Sequence, residues 1–158
     1  MLAATVFVEC ENFKDLGGWA VETQSMRQLG SSYVMAHGYG KPVADAWTTV
    51  VFPEDGDYTV WARTRNWNAE WTKGAAGRFR VEVKVLSKNQ NRPWRSDELG
   101  ADADSAWHWQ KAGVVRLGTN RYYIRLHDLT GFNGRCDALY FTTEGDTPPS
   151  AASEMVSS

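Results

Sequence analysis

Cysteine is nearly absent from this 158-residue chain, which has only Cys10 and Cys136. Their local spacing makes no metal-ligand pair, so a cysteine-rich metal module is excluded. They join in one disulfide if the first and last strands are neighbours, or stand as two buried free thiols. Histidine is also scarce. His37, His108 and His127 lack the spacing of a zinc site, and each reads as a side chain hydrogen-bonded at a loop or sheet edge. No apolar run approaches the roughly 18 residues of a membrane span. The formal net charge is −2, which argues against a nucleic-acid partner. With 42% apolar and 23% charged residues, wholesale disorder is excluded.

Catalytic signatures are missing too. There is no Gly-x-Ser-x-Gly elbow. His127-Asp128 is the one tempting pair, but adjacent strand residues point to opposite faces. Gly38-Tyr39-Gly40 opens no amphipathic helix and reads as a turn, not a phosphate loop. Nothing here predicts an enzyme.

Aromatic residues are abundant: 8 Trp, 6 Tyr and 6 Phe, or 13% of a chain that is otherwise polar on average. Such a content needs a β-rich core or exposed platforms for a ligand. Period-two alternation dominates the chain and helical periodicity is nearly absent. Strands are predicted over 5–11, 46–52, 58–65, 78–86, 107–111, 114–117, 121–127 and 136–142, with shorter ones at 19–23 and 33–36. Residues 87–105 are polar and read as a long loop. Short strands separated by turn signals predict an all-β, antiparallel sandwich or barrel in one domain over 1–145. Residues 146–158, with Thr147-Pro148-Pro149, read as a linker or tail. The opening Met-Leu-Ala-Ala-Thr-Val lacks a charged n-region, and both ends read as the edges of a domain within a larger chain.

Glu9 and Glu11 lie two apart on a predicted strand and so share a face. Asp137 opens the last strand. If the first and last strands pair, the three carboxylates converge, and a cation such as calcium would relieve their repulsion. Spacing alone leaves three separate surface acids as the alternative. Trp47, Trp61 and Trp19 are expected to be buried. Trp67 and Trp71 sit in a polar loop after a strand, where they either plug the sandwich end or serve as plates for a sugar ring. Arg63 and Arg65 share one strand face, and Arg78 and Arg80 another. If those strands neighbour, a guanidinium cluster able to grip uronate or sulfate forms. The alternative is a solvated face with Glu82 and Glu22 as partners.

Several motifs carry a family resemblance. Val8-Glu9-Cys10-Glu11-Asn12-Phe13 resembles the opening strand of carbohydrate-binding modules of the family 6 and family 35 type, with Cys10 replacing the usual Ala. Gly30-Ser31-Ser32-Tyr33-Val34 resembles their Gly-Gly-Tyr-Val segment. The stretch from Phe52 to Arg63 resembles their Gly-x-Tyr strand, and Cys136-Asp137-Ala138-Leu139-Tyr140-Phe141 their closing strand. The resemblance implies a jelly-roll sandwich with a structural calcium held by Glu9, Glu11 and Asp137. It also implies a glycan-contacting Asn just before the closing strand, for which Asn133 is nearest. Residues 107–110 and 127–138 resemble accessory domains attached to bacterial FAD-dependent oxidoreductases.

These observations predict a non-catalytic module that binds a polysaccharide or oligosaccharide and holds a linked catalytic domain near it. Trp67 and Trp71 are the expected stacking plates. Arg65, His127, Asp128, Asn133 and Arg135 are the expected polar contacts. The module would be secreted, periplasmic or on the cell surface, as part of a larger bacterial protein. An accessory subdomain of an oxidoreductase or other carbohydrate-active enzyme, without glycan affinity of its own, is the alternative. A protein-interaction domain using the exposed Trp is a third reading.

Overall fold

The alternating segments form strands in the computed structural model, which describes residues 3–67, 76–86, 92–102 and 104–149. In chain order they are β1 (Thr5–Glu9), β2 (Ala20–Glu22), β3 (Tyr33–His37), β4 (Ala46–Val51) and β5 (Gly56–Thr64). They continue with β6 (Phe79–Val85), β7 (Trp94–Arg95), β8 (His108–Leu117), β9 (Arg121–Asp128) and β10 (Phe132–Thr142). A four-residue helical turn, α1 (Met26–Leu29), is closed by Gly30 in the left-handed region at φ 76°.

The strands make the expected antiparallel β-sandwich of jelly-roll type. One sheet has six strands in the order β2-β3-β10-β5-β8, with β1 beside the C-terminal half of β10. The other has four, in the order β4-β9-β6-β7. All pairings are antiparallel. Val60, Ala62, Leu139 and Phe141 face Val81, Val83, Ile124 and Leu126 across the core. Phe52 is the hub. Its ring meets Tyr58 and Phe141 at 5.1 Å and Tyr122 at 5.6 Å, all edge-on, the geometry aromatic quadrupoles prefer.

The first and last strands pair, with Val8 opposite Leu139 and Glu9 opposite Ala138. Cys10 and Cys136 are therefore neighbours. Both are buried free thiols with sulfurs 3.4 Å apart.

Five expectations need correction. The first strand stops at Glu9, because Cys10–Asn12 curl into a 3-10 turn that buries Cys10, so Glu11 leaves the strand. The two segments predicted at 107–117 are one strand, bent by a bulge opposite Val60/Trp61. The supposed loop 87–105 contains β7, paired to β6, and Leu99, which bridges Phe79 and is fully buried. Arg63 lies in the six-stranded sheet and Arg80 in the four-stranded one, so the four-arginine cluster does not form. Arg78 and Arg80 pair instead with Glu98, each at 3.5 Å, while Glu82 pairs with Arg95 at 2.8 Å. Trp47 is half-buried on an outward face, whereas Trp19 and Trp61 are buried as expected.

Candidate functional site

Strand β10 begins at one end of the sandwich, where three chain segments meet. Asp128 organises them. Its carboxylate accepts the backbone N–H groups of Val43 at 2.9 Å, Gly131 at 3.0 Å and Thr130 at 3.3 Å. Gly131 takes φ +68°, and a Cβ there would lie 2.1 Å from the Lys41 carbonyl, so only glycine permits the approach. The Gly131 carbonyl then accepts the N–H groups of Gly38 at 3.1 Å and Gly40 at 3.2 Å. The 38–45 and 128–133 segments are thereby one rigid ledge.

On that ledge sit the two non-glycine residues with positive φ among the described residues, Tyr39 at 52° and Asn133 at 61°. Such backbone costs of order 1 kcal/mol or more per residue and gathers at functional sites. Tyr39 is 86% exposed, and its ring meets His37 at 4.3 Å. His37 Nδ1 hydrogen-bonds Asn133 Oδ1. Across the ledge, Trp67 Nε1 donates to the Phe132 carbonyl at 2.7 Å, which fixes the indole plane. The Arg135 guanidinium packs on the Trp67 ring at 5.2 Å and donates to the Asn133 carbonyl at 3.1 Å. Burial lowers the Arg135 pKa, the hydrogen-bonded Tyr33 hydroxyl opposes the shift, and neighbouring Arg65 adds to it.

The expected contacts Trp67, Arg65, Asn133 and Arg135 are thus brought together. Asp128 sits at 1% exposure with its oxygens committed to the ledge, so it builds the site from below and does not present itself to a ligand. His127 points to the other side of β9, as strand geometry requires, and pairs with Asp45 at 2.9 Å. Trp71 lies outside the described residues. The sequence reading missed His37, Tyr39 and Phe132. The available signal was a tyrosine between two turn glycines, which has no core face to fill.

A second cluster surrounds the β1–β10 pairing. Asp137 is buried, accepts the Ser31 hydroxyl at 2.8 Å and has Arg63 at 3.8 Å. Glu11 Oε1 is buried without a hydrogen-bond partner. Burial pushes the Glu11 carboxyl from 4.5 up to about 7, with Asp137 and Glu9 adding repulsion and Ser32 opposing it by a hydrogen bond. Glu9 accepts from Asn12 Nδ2 at 3.3 Å. Glu11 is within electrostatic reach of both Asp137 and Glu9. Among the described residues, however, no group of three or more His, Cys, Asp or Glu side chains closes into a metal cage.

Two stacked antiparallel sheets make a β-sandwich, a fold this chain shares with solved carbohydrate-binding modules. The fold matches a family 35 carbohydrate-binding module from Clostridium thermocellum with TM-score 0.63 at 19% identity, over 87% of this chain and 97% of that one. It also matches a GH26-CBM35 beta-(1,4)-mannanase from Podospora anserina, TM-score 0.61 and 18% identity, over 92% of this chain but 29% of the mannanase. A CBM36-1 domain of a multidomain xylanase from the hindgut metagenome of Trinervitermes trinervoides matches with TM-score 0.51 and 17% identity, over 92% of this chain and 99% of that domain. No family model and no curated protein matches the chain by sequence. No helix among the described residues is long and apolar enough to cross a membrane.

Proposed function

We propose that this domain is a non-catalytic glycan-binding module whose site is the ledge formed by Trp67, Tyr39, His37, Asn133 and Arg135. The observation that supports this reading is the Trp67 ring, clamped by Phe132 and Arg135 beside the strained Asn133 and the exposed Tyr39. A sugar ring has an apolar C–H face and a rim of hydroxyls. A fixed indole covers the first, and amide, imidazole and guanidinium groups meet the second. The site is shallow, so affinity in the micromolar to millimolar range, about −8 to −4 kcal/mol, is expected. The module would hold a linked catalytic domain of a secreted or cell-surface bacterial protein on its polysaccharide. The mannanase, of which this fold is one part, supports that arrangement.

Calcium belongs to the same proposal. An orphaned carboxylate oxygen on Glu11, facing Asp137 and Glu9, suits a hard cation that prefers oxygen ligands. Glu9, Glu11 and Asp137 would hold it, supplying charge neutralisation and tying the β1 end to β10. Arg63 partly fills that role beside Asp137.

Affinity electrophoresis through neutral polysaccharides, with calcium present, tests the reading. Retardation by at least one neutral glycan, lost in Trp67→Ala and in Tyr39→Ala with the melting temperature kept, is expected. A folded chain that binds no glycan would support the accessory-subdomain reading instead.

A further inference from the structure

Trp67 is held from two directions. Its indole N–H reaches the Phe132 carbonyl on the ledge, and its backbone follows Asn66, which is anchored elsewhere. The buried Asn66 donates its backbone N–H to the Asp104 carbonyl at 3.1 Å and its side-chain amide to the Asp102 carbonyl at 2.9 Å. Asp102 and Asp104 are gathered in turn around the His108 ring at the start of β8. His108 Nε2 lies 2.5 Å from an Asp102 carboxylate oxygen. Nδ1 lies 2.8 Å from the Ala106 carbonyl and 3.6 Å from an Asp104 carboxylate oxygen. Asp104 also accepts the Ala106 N–H at 3.0 Å.

The chemistry of these partners fixes the charge of the ring. A neutral imidazole has one donor nitrogen and one acceptor nitrogen, whereas an imidazolium has two donors. His108 faces a carboxylate with one nitrogen and a carbonyl with the other, and both only accept. A neutral ring would turn a lone pair on one of them, so the imidazolium alone makes both bonds. Burial pulls the His108 pKa down, but the Ala106 carbonyl and the two carboxylates outweigh it and raise the value from 6.5. The charged groups acting on the ring are Asp102 and Asp104, while Thr64, its partner across β5, is uncharged. The second Asp102 carboxylate oxygen is buried without a hydrogen-bond partner, and the imidazolium offsets the cost of placing that charge there.

We propose that His108, as the imidazolium, is a positioning residue for Trp67 and makes the ledge pH-sensitive. Only its consequence for binding rests on the reading of Trp67 as the sugar plate. With the proton on, the ring closes Asp102, Asp104 and Ala106 into a turn that presents two carbonyls to Asn66. Asn66 then sets the direction from which the chain enters Trp67. With the proton lost, one of the two acceptors meets a lone pair, the turn loosens its grip on Asn66, and the indole plane is held by Phe132 and Arg135 alone. The contribution of His108 is whole below the ordinary value of 6.5 and drains away as pH rises above it. The ledge is therefore firm in acid and loosens towards alkaline pH.

Heteronuclear NMR of the whole chain across a pH series, with no glycan added, is the test, so it stands or fails separately from the glycan reading. The Trp67 indole N–H resonance is identified by its loss in Trp67→Phe. It should shift in step with the His108 ring resonances, with a midpoint above 6.5. His108→Gln, which keeps a single donor, should remove that step from the indole. His37 and Glu11 stay in place in every variant and account for any step that survives. Asp102→Asn keeps an acceptor and removes the charge. It should lower the proton affinity of the ring about tenfold and carry the indole midpoint down with it, which a merely structural histidine would not do. The inference is overturned if the His108 ring titrates at or below 6.5, if the indole ignores that titration, or if Asp102→Asn leaves the indole midpoint in place. Should His108→Gln unfold, the wild type and Asp102→Asn decide the matter.

Discussion

The outward faces of the two sheets arise from the same alternating pattern and end up opposite in character. On the six-stranded sheet, Phe7, Tyr140, Trp61 and Trp109 come from four adjacent strands and shield one another. Phe7 meets Trp109 at 6.0 Å and Tyr140 at 6.3 Å, while Trp61 and Tyr140 are only 7% and 6% exposed. This face is in effect a second apolar layer. On the four-stranded sheet, the rings of Trp47 and Tyr123 alternate with cations, whose hydration keeps the face wet. Alternation therefore identifies residues that point outward, and only the neighbours across the sheet decide whether outward means dry.

Substituting the tryptophans breaks this comparison most directly. Trp61→Ala should cost about 3–5 kcal/mol, since it empties a buried indole site. Trp47→Ala should cost well under half of that. Denaturant titration of both variants is the check, and equal losses would mean the faces do not differ.

The carboxylate cluster provides the next largest effect. Glu11 has a folded-state pKa of about 7 against an ordinary 4.5, so the folded chain prefers its protonated form. Its contribution is whole below the ordinary value and drains away as pH rises through about 7. Chelated wild type should lose stability across that window, and Glu11→Gln should flatten the profile. Calcium should restore the wild type above pH 7 by about 2.7 kcal/mol at a hundredfold excess over its dissociation constant, and should do little for Glu11→Gln. A melting temperature indifferent to calcium would remove the metal from the account.

At the ledge, Trp67→Ala should weaken glycan binding about tenfold or more, roughly 1.4 kcal/mol, with little change in fold. Unfolding of this variant would assign the ring to packing. The smallest effect belongs to the wet face: Lys84→Ala and Arg125→Ala should each stay within about 0.5 kcal/mol of wild-type stability. Larger losses would show that this face, like its counterpart, is structural.

Local periodicity and motif order determined a good deal. Alternation such as Phe79, Val81, Val83 against Arg80, Glu82, Lys84 announces a strand because the side-chain period is two, whatever the strand pairs with. The motif order implied neighbouring first and last strands, and β1 and β10 do pair, with Cys10 beside Cys136. Tertiary structure alone decided the rest. It sent Arg63 and Arg80 to different sheets, because strand order is set by which apolar faces meet and not by sequence distance. It turned Glu11 out of β1, where a 3-10 turn at Cys10–Asn12 carries the Cys10 thiol inward against Cys136. It drew Asp128 inward, where three backbone N–H groups needed an acceptor, and it held the exposed Tyr39 in a left-handed conformation that its ring disfavours, close to Asn133, whose short amide side chain tolerates the same backbone.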